Sequence, residues 1–174
     1  DIASVRQALR RGIDQDYYLT GREWPYKDVP RKIICEKFLS NYGDEDLKDY
    51  KFQCFNGEVD HIFVCVGRNT TQNVRYYYFD KNWNYLPYSL NDHCDHTYLQ
   101  SLKPGKFQEM LSIAKILSAG IPEIRVDLYE VEQQVYFGEL TFFSQSGFDT
   151  TITREADAEI GARFILPTKN AFQR

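Results

Sequence analysis

The sequence predicts an α+β fold with a largely antiparallel sheet and packed helices, on three observations. Asn56-Gly57 separates two apolar-rich runs, Tyr50 to Phe55 and Val59 to Val66, and this dipeptide readily takes the positive φ angles of a two-residue hairpin turn. Phe107, Met110, Leu111, Ala114 and Leu117 recur at helical spacing and form one apolar face. Ile124 to Val131 and Val135 to Phe143 then alternate as two more strands across three polar residues. A run of strands, a helix and a second hairpin belongs to the α+β class.

Taken in order, Ile2, Val5 and Leu9 with a stop at Gly12 predict a helix over roughly the first eleven residues. Regularity breaks between Tyr17 and Lys27. Arg31 to Leu39, with Ile33-Ile34-Cys35 at its centre, is expected to be a buried strand leaving the core, followed by a polar loop from Asn41 to Lys48. After the Asn56-Gly57 hairpin, Val74 to Phe79 is a third strand and Asp80 to Asn84 a turn. The pattern then loosens until Pro104, where the amphipathic helix begins and runs to Gly120 and Pro122.

At 174 residues the chain suits one domain of ordinary size. With 43% hydrophobic and 16% aromatic residues, it is no disordered chain. A net charge of −4 argues against a general electrostatic grip on nucleic acid, and no stretch approaches the roughly 20 apolar residues of a membrane-inserted helix. Asp1 in place of an initiator, with Met110 the one methionine, suggests part of a longer polypeptide. Cys35, Cys54 and Cys65 lie in apolar runs and, with Cys94, are expected to be reduced core residues of a cytoplasmic protein. His93, Cys94 and His96 are close in sequence but lack the fourth ligand of structural zinc.

The last hairpin carries the chemistry. Ile124, Val126 and Leu128 alternate with Arg125, Asp127 and Tyr129; Tyr136, Leu140 and Phe142 alternate with Phe137, Glu139 and Thr141. The apolar sets align when Val126 opposes Leu140 and the loop is Glu132-Gln133-Gln134, because a one-residue slip sends each set to the other face. That register places Asp127 opposite Glu139 and Arg125 opposite Thr141. Two carboxylates so placed repel unless a cation or proton sits between them. A divalent metal resolves the repulsion, and Mg²⁺ binds through one or two carboxylates plus substrate phosphates; a solvated face on which the two tolerate each other is the alternative.

Arg125-Val-Asp127, then Tyr136-Phe-Gly-Glu139-Leu-Thr141-Phe142 and a Gly-containing loop at Ser144 to Phe148, resemble the metal-binding end of an ATP-grasp enzyme. Together with Gly21-Arg-Glu-Trp-Pro-Tyr-Lys27, Asp49-Tyr-Lys-Phe52 and Asn56-Gly57, they resemble the TupA-like ATP-grasp family, linked to bacterial teichuronopeptide and cell-surface polysaccharide synthesis. The likeness runs from about Ile2 to Pro167. It implies an ATP-grasp-like fold over residues 1–174, with 1–30 a helical lead-in and 31–174 the C-terminal subdomain. The N-terminal part of the grasp, carrying a phosphate-binding lysine, would lie upstream.

By that resemblance ATP and Mg²⁺ are the cofactors. Asp127 and Glu139 would hold the metal, with Thr141 where the wider superfamily has Asn, and Arg125 would face the γ-phosphate or an acyl phosphate. Without the family, Arg125 is an ion-pair partner of the neighbouring acids. Glu36, Lys37, Phe38 and Leu39 match the adenine-binding hinge. Asp49 stands where a ribose-binding acid is expected, with Asp44 and Asp46 as alternatives, and Lys51 either faces the nucleotide or is an exposed strand lysine. Tyr17 to Lys27 is either an acceptor or phosphate site or a packing wedge at Trp24-Pro25.

The implied activity is carboxylate–amine ligation through an acyl phosphate, with a nucleotide and a carboxylate or saccharide-linked substrate as partners. The competing readings are an ATP-dependent phosphotransferase and a non-catalytic carbohydrate-binding or scaffold module using the 13 tyrosines and 2 tryptophans. The pair Asp127 and Glu139 separates the nucleotide readings from the last, since sugar stacking has no use for it.

Overall fold

The computed structural model describes residues 1–39, 47–67, 74–91, 95–166 and 168. It divides into two compact units: Asp1–Phe38 with Phe143–Asp149, and Leu39–Phe142 with Thr150–Arg174.

In the first unit, α1 (Ile2–Ile13) is capped by Asp1, whose carboxylate accepts from the amides of Ala3 and Ser4. Helix α2 (Tyr17–Gly21) ends at Arg22 in the left-handed conformation, and a single 3-10 turn, Trp24–Tyr26, follows. The Tyr17–Tyr26 and Tyr18–Trp24 ring pairs meet edge to face, and Lys27 lies over the Trp24 ring. No residue of this unit is buried. The stretch expected as a buried strand, Arg31 to Leu39, is neither: it has no regular structure, and Ile34 and Phe38 are 74% and 86% exposed. Three apolar residues between Arg31-Lys32 and Glu36-Lys37 make a strand only where a neighbour takes up their backbone hydrogen bonds, and none among the described strands does. Cys35 is accordingly exposed, whereas Cys54 and Cys65 are buried and free.

The second unit is built on a six-stranded antiparallel sheet: β1 (Asp49–Phe55), β2 (Glu58–Val66), β3 (Arg75–Asp80), β4 (Tyr85–Leu86), β5 (Glu123–Val131) and β6 (Gln134–Thr141), in the order β4-β3-β2-β1-β5-β6. Asn56 and Gly57, both at positive φ, make the two-residue turn expected between β1 and β2. Helices α3 (His96–Ser101) and α4 (Phe107–Ser118) supply Leu99, Phe107, Met110 and Ala114 to the same core as Phe52, Ile62, Val64, Ile124, Val126 and Leu128. These apolar positions alternate along the strands, so this face of the sheet is the core. Toward the β2–β4 end of the other face, α5 (Arg154–Gly161) packs Ala156 against Tyr78 and Tyr88. Arg163 ties this region to Asp60, and the Tyr88 hydroxyl bonds Glu159.

Helices α2, α3 and α5 and the two-residue strand β4 are not legible in the apolar spacing: α2, α3 and β4 carry less than two turns or pairs of pattern, and α5, at eight residues, buries Ala156 alone. The last hairpin also differs in detail. Its turn is two residues, Glu132 and Gln133, both at positive φ, and the third residue assigned to the loop is absorbed as a bulge opposite Asp127 and Leu128. Below the bulge the pairing is Leu128 with Phe137 and Tyr129 with Tyr136; above it, Asp127 pairs with Glu139 and Arg125 with Thr141. Val135 therefore joins Leu140 and Phe142 against the core, and Tyr136 moves to the opposite face from the one its alternation suggested. Gly138 is required at the bulge: a Cβ there would lie 2.8 Å from the Tyr129 ring and 3.0 Å from the Asp127 carbonyl oxygen.

Candidate functional site

The face of the sheet turned away from α3 and α4 carries Asp49, Lys51 and Gln53 from β1, Glu123, Arg125 and Asp127 from β5, and Glu139 and Thr141 from β6. Strand pairing sets Lys51 against Asp127 and Asp127 against Glu139. One row across three adjacent strands is therefore cation, carboxylate, carboxylate. Asp49, Lys51 and Asp127 are no more than 5% exposed, while the Glu139 side chain, on the edge strand, is 62% exposed. The cluster is buried at one end and open at the other.

Lys51 Nζ is bonded to Asp127 Oδ2 and lies 2.8 Å from Asp49 Oδ2. Arg125 donates from Nε to Asp127 Oδ1 at 2.7 Å and from Nη2 to Asp127 Oδ2 at 2.9 Å. The same Nη2 reaches Glu139 Oε1 at 2.8 Å, to which Thr141 Oγ1 also donates at 3.1 Å. The back of the guanidinium faces the Phe63 ring, 5.9 Å from its centroid. Burial works against the charged guanidinium, but Asp127 above all, then Glu139 and Asp49, outweigh it and raise the Arg125 pKa above its ordinary value. Gln53 bonds Glu123, whose carboxyl is pushed up chiefly by burial, against the opposing effects of Gln53 and Arg125.

The opposed pair predicted from the alternation is thus present at its predicted register. The cation between the two acids is a guanidinium, so their repulsion is resolved within the chain. Lys51 is not the exposed strand lysine of one reading: it is buried on the face of Asp127. Asp49 is turned to Lys51, and Asp44 and Asp46 lie outside the described residues. Glu36, Lys37 and Phe38 are exposed and Leu39 half-buried, all outside any strand or helix. Tyr17, Tyr26 and Lys27 help line a depression of about 550 Å³ within the first unit. His93 and Cys94 lie outside the described residues. The buried Asp49–Lys51–Asp127 contact is what sequence reasoning missed; its signal was a charge of alternating sign at period two on a strand whose alternate positions are Tyr50, Phe52 and Cys54.

The family model described as TupA-like ATPgrasp matches residues 1–165 of the chain. The chain belongs to the TupA-like ATP-grasp family. No curated protein matches it, and no solved structure does. The α+β architecture with a six-stranded antiparallel sheet is compatible with that family, and membership implies a nucleotide partner. Among the described residues no helix is long and apolar enough to cross a membrane.

ATP-grasp proteins generally use Mg²⁺ beside ATP, and the donors here suit a hard cation in kind: two carboxylates and a hydroxyl, all oxygen, on adjacent strands. Among the described residues no group of three or more His, Cys, Asp and Glu side chains is arranged to hold a metal ion. Both Asp127 oxygens and Glu139 Oε1 are engaged by Arg125 and Lys51 instead.

Proposed function

We propose that the charged face of β1, β5 and β6 is the phosphate end of an ATP site, and that the protein activates a carboxylate at the expense of ATP for attack by an amine, in bacterial surface-polysaccharide synthesis. The observation that carries this reading is the row Lys51, Asp127, Glu139 with Arg125 bridging the acids. It sets two fixed cations beside two metal-type oxygen donors, buried at one end and open at the other. A structural ion-pair cluster needs no open end, and a sugar-binding module needs no buried lysine.

Each side chain has a part. Lys51, oriented by Asp49, offers an ammonium donor and its positive charge to a phosphate oxygen from a site with little competing water. The Arg125 guanidinium, planar and fixed by two bonds to Asp127, presents its remaining donors to charge developing on the transferred phosphoryl group or on an acyl phosphate. Asp127 and Glu139, with Thr141 beside Glu139, are the residues that would hold Mg²⁺. When bound, the ion would neutralise phosphate charge and orient the terminal phosphate. Glu36, Lys37, Phe38 and Leu39 keep the adenine-contacting role implied by the family, tested separately by the effect of Glu36→Gln on discrimination between ATP and GTP.

Calorimetric titration of ATP with Mg²⁺ tests the reading. The expected result is binding that Glu139→Gln and Asp127→Asn each weaken by at least about tenfold, the loss of one charge-assisted contact. Binding unaffected by both substitutions would remove the site from this face.

A further inference from the structure

We propose that Lys51 and Arg125 are the built-in counter-ions of this site, handed from carboxylate to phosphate when a polyphosphate binds, so that a divalent cation gains access to Asp127 and Glu139 only together with that polyphosphate. This rests on the reading of the face as a nucleotide site and adds its order of assembly.

The argument is one of charge and burial. Three carboxylates, Asp49, Asp127 and Glu139, face two cations, Lys51 and Arg125, and both oxygens of Asp127 are bonded to cationic nitrogens. Asp127 is 1% exposed and the Arg125 side chain 12%. A metal ion that took up Asp127 and Glu139 on its own would compete with the guanidinium and the ammonium for the same oxygens. Both displaced cations would then be left largely buried without those carboxylates, and breaking a buried pair in this way is strongly unfavourable. A polyphosphate changes the balance: its oxygens accept from Arg125 and Lys51, the two cations keep anionic partners, and the Asp127 and Glu139 oxygens are released.

Two features point to a handover rather than a permanent lock. Arg125 Nη2 contacts both acids at once, so a single movement of one side chain frees an oxygen on each. Glu139 is exposed on the edge strand, so an incoming phosphate reaches the guanidinium from the solvent side. The chemistry requires only a chain of phosphates and does not distinguish nucleotide from inorganic polyphosphate at this end. A free carboxylate or a monovalent anion brings one negative charge to the two cations, where a polyphosphate brings several.

The test is a linkage measurement on the whole chain, using Mn²⁺ followed by the electron-spin resonance signal of the free ion, with inorganic tripolyphosphate and ATP as polyanions at matched ionic strength. The expected result is weak or no Mn²⁺ binding alone and Mn²⁺ affinity at least about tenfold tighter with tripolyphosphate, with tripolyphosphate affinity rising by the same factor in Mn²⁺, as reciprocity demands. The complex those two ligands form in free solution is measured separately and subtracted. Arg125→Met should bind Mn²⁺ without polyphosphate, and its lowered melting temperature should rise with Mn²⁺ alone. If that variant does not fold, the wild-type linkage decides the matter. Polyphosphate binding with Mn²⁺ affinity independent of it overturns the handover and leaves the nucleotide reading standing. Failure of ATP and tripolyphosphate to bind, with or without metal, overturns both.

Discussion

On the face of the sheet covered by α3 and α4, the inward side chains of β1, β2 and β5 are Tyr50, Phe52, Cys54, Ile62, Val64, Val66, Ile124, Val126 and Leu128. On the opposite face the same strands bury Asp49, Lys51, Gln53, His61 and Asp127. The two faces are equally inaccessible in places, yet burial does different work on each. Apolar burial stabilises side chain by side chain, in proportion to area removed from water. The charged face is balanced only as a set, since its carboxylates share two cations, Lys51 and Arg125, within and across the strands, and an ion cluster of this kind contributes little net stability against an apolar one of the same volume. A sheet that could have been apolar on both faces carries on one of them a charge arrangement suited to an anionic ligand.

The largest effect falls on the apolar face. Phe52→Ala empties a fully buried position and should cost about 4 kcal/mol, read from the urea midpoint, with no redistribution of the ion pairs. Lys51→Met should cost about 3 kcal/mol, because it leaves Asp49 and Asp127 buried without their ammonium partner. A loss well below that would mean the charged face is wetter than its geometry indicates. Gly138→Ala should cost about 1–2 kcal/mol, since the bulge has no room for a methyl group. It should also speed amide exchange at Asp127 and Glu139 ahead of the rest of β5 and β6.

The smallest effect is a pH dependence. Burial raises the Glu123 pKa, so the favourable contribution of its protonated form is fully present below the ordinary carboxylate range near pH 4 and is lost as pH rises through the folded-state value. Glu123→Gln should therefore be more stable than the wild type at about pH 7, and the difference should close towards about pH 4. Urea midpoints at the two pH values measure it, and an advantage that persists unchanged in acid would argue against burial as the cause.

The same contrast explains what the sequence could and could not tell. The apolar runs Tyr50–Phe55 and Val59–Val66, the alternation in Ile124–Val131, the Asn56-Gly57 turn and the spacing of Phe107 to Leu117 are local signals, and they locate most of the sheet and α4. The opposition of Asp127 and Glu139 is also legible, although the extra residue sits at the Gly138 bulge and the turn is two residues, not three. Lys51 was not legible as buried, because a lysine at a polar position of a strand looks the same whether solvent or Asp127 lies beyond it. That fact resides in the pairing of β1 with β5, more than seventy residues apart in sequence. Arg31 to Leu39 failed for the converse reason: Ile33-Ile34-Cys35 has the composition of a strand but no strand partner among the described residues.

The most direct test of the claim that the charged face is the nucleotide site is a ¹H–¹⁵N spectrum of the chain with ATP and substoichiometric Mn²⁺. The account predicts paramagnetic broadening centred on Asp127, Glu139 and Thr141, extending to Lys51 and the Arg125 side chain, with Met110 and Ala114 of α4 retaining their signals. Broadening centred on α4, or ATP binding that leaves Asp127 and Glu139 sharp, would contradict it.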